Sequence, residues 1–315
     1  IRDRALHGLI EHSRQLHRQW MQMSASEFLR RDLGWLMLYR SVQAQAGAHW
    51  ASDLYGQFGI AHQWLSAREL TELEPAIRSG VFHSALWVQD ASAISDPGAL
   101  VRAYAQTLVN AGGQIGQRRL LGLESLAGIW RAHTDQGVVQ ADHMVLALGP
   151  WSDDILRPLG LHLPLIHERG QHQHLAFASP HRLSRPVHDT GGAYVLSPMA
   201  DGYRLTTGVE LNARAAPVSR QGRDQLLQAM QSARQAIELG EPQPTPPWLG
   251  ARPTLPDSRP MIGAAPGHPG LWLALGHQHI GLSTGPASGD MLACLMSGQT
   301  PVLDPKPFSP DRFDL

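Results

Sequence analysis

One cysteine, Cys294, stands in 315 residues, so no intrachain disulfide can form and no cysteine-built zinc site can be assembled. A buried structural thiol in a reducing compartment is the expectation, which points to the cytoplasm. Charge is scarce as well. Charged residues make up 17% of the chain and nearly cancel, at a formal net charge of -1, so no strong field selects nucleic acid as a partner. No apolar run approaches the roughly 20 residues that cross a bilayer, and any contact with the inner membrane would be peripheral. Gly-x-Gly-x-x-Gly, the turn with which a βαβ unit seats a dinucleotide pyrophosphate, occurs nowhere. The opening, IRDRALHGLI, has no start methionine and is already in a helical period, as expected of a chain that begins partway into a larger protein.

What is present suffices for a sizeable core: 43% of residues are hydrophobic, enough for two packed units. Leu6, Leu9, Ile10, Leu16 and Trp20 recur at helical spacing, and WLMLYR from Trp35 reads as a buried strand. Residues 51–58 and 66–73 read as helices, the second capped by Ser66 and stopped by Pro75. VFHSALWV follows as a strand. Asp96-Pro97 opens the clearest helix, which Gly112-Gly113 closes. Strands are expected over 114–121 and 128–134, and HMVLALG reads as a short buried parallel strand. From Pro164 to Leu211 the pattern turns to an antiparallel meander, with GYRLTTGVEL joined to the preceding strand across Ala200-Asp201-Gly202. A helix over 220–239, the proline-rich connector EPQPTPPW, then strand, glycine turn and helix from Ile280 complete the chain. Alternating α/β and antiparallel segments predict a mixed α/β (α+β) fold of two interleaved domains.

The glycine turn LGHQHIGLSTG carries the chemistry. Gly276, Gly281 and Gly285 leave a backbone that a flat ring can approach, and the helix that follows aims its positive end at whatever lies there. The residues GARPTLPDSRPMIG and LWLALGHQHIGLSTGPASGDMLACLMSG together resemble the carboxy-terminal flavin-binding segment of the D-amino-acid oxidase superfamily, in the branch of glycine oxidase, sarcosine oxidase and bacterial D-amino-acid dehydrogenases. Four further stretches agree in order: LTELEPAI, DASAISDPGALVRAYAQTLVNAGG, MVLALGPWSDDI and HERGQHQHL.

The resemblance implies an FAD-dependent oxidoreductase that oxidises the C–N bond of an amino acid or secondary amine. It implies a partial FAD-binding Rossmann-like domain (86–160 and 250–305) interleaved with an antiparallel-sheet substrate domain (1–85 and 161–249), and an amino-terminal nucleotide unit absent from this sequence. Arg252 stands where relatives clamp the substrate carboxylate; pairing with a local aspartate such as Asp257 is the competing reading. Tyr194 is the candidate for a second hydrogen bond to that carboxylate, with Tyr203 as its competitor, each equally a strand aromatic. His279 replaces an arginine of some relatives near the flavin or substrate, and the bland alternative is a hydrogen-bonded structural histidine. Gly149, Trp151, Gly263, Gly276, His277, Ile280, Gly281 and Leu282 are the expected cofactor contacts. FAD would be held noncovalently, because no cysteine stands near Arg252. The histidine pairs His172/His174 and His277/His279 lack supporting carboxylates or thiols at ligand spacing, so no metal is expected. A small amino acid or amine is the expected partner, together with oxygen, a quinone or a partner subunit as electron acceptor. The alternative is a truncated or noncatalytic subunit that keeps the fold and does not bind FAD alone.

Overall fold

Local signals set the ends of the elements in the computed structural model, which describes residues 4–315. The first half runs α1 (Arg4–Met23), β1 (Arg30–Arg31), β2 (Trp35–Tyr39), α2 (Val42–Ala46), α3 (His49–Gln57), β3 (His62–Ser66), α4 (Ala67–Leu73), β4 (Ser84–Val88), β5 (Ala93–Ile94), α5 (Pro97–Asn110), β6 (Leu120–Leu126), β7 (Ile129–Thr134), β8 (Gly137–Ala141), β9 (Met144–Leu146) and α6 (Ser152–Leu156). The second runs β10 (Ile166–Phe177), β11 (Val187–Asp189), β12 (Tyr194–Pro198), β13 (Tyr203–Leu211), α7 (Arg220–Ala236), β14 (Leu239–Pro242), β15 (Trp248–Thr254), β16 (Met261–Ala264), β17 (Leu271–Leu275) and α8 (Gly281–Met296). Ser66 caps α4 through a capping box with Glu69. Asp96 accepts from the Ala99 amide at 2.8 Å, one residue before Pro97 opens α5.

The strand expected over 114–121 lies further on, at Leu120–Leu126. The polar run before it has no face to bury, whereas Leu126 pairs with Ile129 across a two-residue turn. Ala127 and Gly128 both have positive φ there, +51° and +81°, as a tight hairpin turn demands. The hairpin between β12 and β13 forms across Ala200-Asp201-Gly202 as expected, with Pro198 opposite Tyr203.

Nine strands form the main sheet, in the order β14-β10-β13-β12-β11-β2-β4-β3, with β15 paired to the amino-terminal half of β10. Only the β11–β2 pairing is parallel among these. One face of the sheet carries Leu36, Leu38, Leu175, Leu196 and Leu205 into a core closed by Leu226, Ala229 and Ala233 of α7. Period-two alternation puts Glu168, Gly170, His172 and His174 of β10 on the other face, with Arg204 of β13 and Trp248, Gly250 and Arg252 of β15.

A second layer holds β16, β17 and β9, the last two parallel. Helices α8 and α1 pack on it: Leu9, Ile262, Ala287, Met291 and Phe308 share one core. A proline inside α8, Pro286, leaves the Leu282 carbonyl four residues earlier without its helical donor. His17 of α1 supplies one, its Nε2 lying 2.8 Å from that oxygen, while Nδ1 lies 2.8 Å from the Tyr104 hydroxyl. A carbonyl only accepts, so Nε2 carries the proton and Nδ1 accepts from Tyr104. Replacing His17 by leucine is expected to lower stability by about 1–3 kcal/mol, through the unsatisfied carbonyl; urea unfolding of the two proteins checks it.

Candidate active site

Arg252 is opposite Glu168 in the β10–β15 pairing, and its side chain leans over the neighbouring position, Gly170. A Cβ built on Gly170 would lie 2.5 Å from Arg252 Nη1, so only glycine admits the guanidinium there. The guanidinium is half-buried, and burial pulls its pKa down while the charge of Glu168 opposes this. Among the described residues no carboxylate forms an ion pair with it. The competing partner is already engaged: Asp257 accepts from Arg312 at 2.7 and 3.3 Å. Arg252 is thus a half-buried cation without a carboxylate ion pair among the described residues.

The turn that follows β17 is pinned beside it. Thr254 bridges His277, and the Gln278 amide donates to the Pro253 carbonyl at 3.0 Å. Gly276 has φ +77°, and a Cβ there would lie 2.5 Å from Leu255 Cδ1, so this glycine answers a close approach within the chain. Ser288 Oγ spends its proton on the Thr284 carbonyl, so His277 Nε2 donates to Ser288 Oγ at 3.0 Å. That ring is enclosed, and burial lowers its pKa to about 4. His279 sits at the surface of the turn close to Arg252. Partial desolvation lowers its pKa first, the Arg252 charge second, with Glu168 opposing. Glu168, Arg252 and His279 thus form one electrostatic cluster.

Helix α8 starts at this point. Its N-cap, Ile280, offers no side-chain acceptor, so the amides of the first turn must find partners beyond the helix. Two buried polar groups here have no partner among the described residues, Gln278 Nε2 of the turn and Thr254 Oγ1 at the end of β15. Leu282, half of whose role is the carbonyl that meets His17, also lines a cavity of about 290 Å³ with Ser283, His17, Met21, Asp90 and Ala91. At the same end of the layer, because β9 and β17 run parallel, Gly149 follows β9 as Gly276 follows β17; it has φ +55° with open space where its Cβ would stand. Trp151 is 58% exposed and shares a hollow of about 500 Å³ with Leu120, Leu121 and Leu148, so it is no core tryptophan.

The structure corrects several expectations. Tyr194 is opposite Thr207 and Asp189, on the sheet face that α7 covers, and its ring belongs to that core. Its hydroxyl is buried beside Arg40 and Asp189, and burial raises its pKa well above the tyrosine range. Tyr203 shares that face, and its hydroxyl accepts from the Leu183 amide at 2.9 Å. Neither tyrosine can reach a ligand on Arg252, because strand alternation turns them away. Gly263 has φ +149° and a Cβ there would lie 2.8 Å from Pro310 Cδ, so it admits the carboxy-terminal tail rather than a cofactor. Cys294 is half-buried rather than buried.

Histidines enclosed in neutral form make stability depend on acid. For His17, His172 and His277 the folded pKa lies below the ordinary 6.5, so the unfolded chain takes up protons first. Their stabilisation is complete above about pH 6.5 and is lost as pH falls toward 4. The melting temperature is expected to drop over that window, and to drop less in His277→Asn; a pH series of thermal melts checks it.

The family model described as FAD dependent oxidoreductase, the DAO family, matches residues 2–295. The chain belongs to this family. It is 36% identical over 179 residues to a glycine oxidase of Pseudomonas aeruginosa, an alignment that covers 56% of this chain and 48% of that protein. It is 30% identical over 262 residues to a D-amino-acid oxidase of Bradyrhizobium diazoefficiens, covering 81% and 61%. The chain spans about half the length of the glycine oxidases it matches. Among solved structures, glycine oxidase from Geobacillus kaustophilus superposes with a TM-score of 0.83 at 22% identity, over 98% of this chain and 83% of the other. L-proline dehydrogenase from P. horikoshii gives 0.83 at 18% identity, over 100% and 84%. These likenesses show the fold, a mixed α/β architecture of flavoenzyme type.

FAD is the family's cofactor, and the ring-side surface of this chain fits it. Uncapped amides at the start of α8 suit an electron-rich edge, and the orphaned Gln278 Nε2 and Thr254 Oγ1 need partners from outside the protein. Ile280, Gly281 and Leu282 open α8 here, directly after His277 and Gln278. Gly149 and Trp151, just after β9 at this same end of the layer, offer an open glycine and an exposed ring. Glu168, Thr254 and Gln278 are site residues that the sequence reading missed. Alternation along β10 could have found the first, since Glu168, Gly170 and His172 share a parity. The other two depend on how the turn meets β15.

Proposed function

We propose that this chain oxidises the C–N bond of an amino acid or a secondary amine, with the substrate's carboxylate held on Arg252. The observation that carries the reading is the unpartnered, half-buried guanidinium beside the glycine turn and the open start of α8. When bound, FAD supplies the acceptor for a hydride from the carbon next to nitrogen. Everything else is positioning by the chain's own residues.

The planar fork of Arg252 matches a carboxylate in two parallel hydrogen bonds, and it keeps its charge at any working pH. Its seat over Gly170 fixes the direction in which the carboxylate lies. His279, held toward the neutral form, adds no second charge that would compete for the substrate's carboxylate. Glu168, the carboxylate of this cluster, is opposite Arg252 and would receive the substrate's amine. Segments 86–160 and 250–305 make up the cofactor side in this reading, and 1–85 and 161–249 the substrate side. The imine that leaves takes up water: from a primary amino acid it gives a keto acid and ammonia, and from a secondary amine a carbonyl compound and a primary amine.

The test joins the chain to an amino-terminal Gly-x-Gly-x-x-Gly unit, loads FAD and follows flavin absorbance without oxygen. Bleaching is expected with at least one of D-amino acids, glycine, proline and sarcosine. No bleaching with any of them overturns the proposal.

A further inference from the structure

Trp248 stands four residues before Arg252 on the same face of β15, and the two side chains converge. Gly170 and Gly250 are opposite each other between them. The Arg252 guanidinium covers the first, and the Trp248 ring covers the second so closely that a Cβ on Gly250 would lie 1.7 Å from Cη2. Paired glycines weaken a sheet and give it nothing to pack, so what they achieve here is the approach of both heads to bare backbone. Residues opposite each other in a ladder are roughly 5 Å apart, which sets the guanidinium and the indole side by side.

His172, opposite Trp248, stacks with it at 4.9 Å between ring centroids and 23° between planes. The indole nevertheless remains 57% exposed. Burial keeps His172 uncharged, with a pKa of about 4. The surface next to Arg252 is therefore aromatic, neutral and open.

We infer that Trp248, backed by His172, forms the wall against which the substrate's side chain lies, and that the site favours amino acids with planar aromatic side chains over glycine and alanine. This rests on the reading of Arg252 as the carboxylate anchor. From a carboxylate on that fork, an aromatic ring on Cα or one methylene beyond it reaches roughly the 5 Å to the neighbouring strand position. Glycine leaves the indole in water, and alanine covers little of it. Stacking on the exposed ring favours the aromatic side chain by about tenfold.

Binding of phenylacetate and acetate to the purified chain, followed by calorimetry and tryptophan fluorescence, tests this. Phenylacetate is expected to bind about tenfold more tightly than acetate. Trp248→Leu should abolish that ratio by weakening phenylacetate, Trp248→Phe should keep most of it, and Arg252→Ala should remove both acids. A wild-type ratio near one, or a ratio that persists in folded Trp248→Leu, overturns the wall and leaves the anchor standing. If Trp248→Leu does not fold, His172→Leu is measured in its place, and an unchanged ratio there counts against the wall in the same way. Failure of both acids to bind the wild-type chain overturns the anchor, and the wall with it.

Discussion

Arg252→Ala is expected to lower kcat/KM for the amino-acid substrate by about 10²- to 10³-fold, almost all of it in KM. The size follows from the loss of a charge-assisted, bidentate contact in a half-desolvated site, about 3–4 kcal/mol, at about 1.4 kcal/mol per tenfold. The same substitution should not lower the melting temperature. An arginine in a structural ion pair would destabilise the fold on removal, because its partner would be left buried and alone. Arg252 has no such partner among the described residues, and its burial is a cost to the fold. Arg252→Lys separates geometry from charge. A lysine ammonium keeps the charge and loses the fork, and it reaches less far over Gly170, so a loss of tenfold or more in KM is expected. Steady-state kinetics on the FAD-loaded protein and thermal melts of the same preparations check both halves. A fall in melting temperature without a change in KM would make Arg252 a structural residue.

Much of the fold was legible because its signals are local. Ser66 with Glu69, Asp96 with Pro97, and the apolar period of α7 each act within one turn of helix, and the structure honours all of them. The strand over 114–121 was misplaced because hairpin register, set by the positive φ of Ala127 and Gly128, outweighed composition. In the site, Arg252 and the glycine turn could be read from their motif. The tyrosines could not. Whether Tyr194 faces Arg252 or the core depends on the parity of a strand whose first residue only the register fixes, and one step along β12 reverses every side chain. Gly263 and Gly276 show a second limit: a positive φ is visible as glycine, but whether the space serves a ligand, Pro310 or Leu255 is a tertiary fact.

Glu74→Ala is expected to cost about 3–5 kcal/mol of stability, a drop of roughly 10 °C in melting temperature for a chain of this size. Glu74 ends α4, just before Pro75, inside the Leu-Glu-Pro segment that resembles the family's. Its carboxylate is 1% exposed. It accepts from Arg185 Nε at 2.6 Å, from the Ser184 amide at 2.9 Å and from the Ser184 hydroxyl. Arg185 in turn donates to the Leu33 carbonyl at 2.9 Å and lies 5.1 Å over the Trp87 ring. One carboxylate therefore ties the end of α4 to the segment entering β11, and through Arg185 to the start of β2 and to β4. Alanine leaves Arg185 buried and unpaired, which is the costly outcome; a double replacement of Glu74 and Arg185 by methionine should recover part of the loss. The pair lies on the core side of the sheet, away from Arg252, so KM at a permissive temperature should stay within twofold of wild type. The resemblance in this segment then marks a structural tie, and the separation of its thermal from its kinetic effect distinguishes it from the residues that meet the substrate.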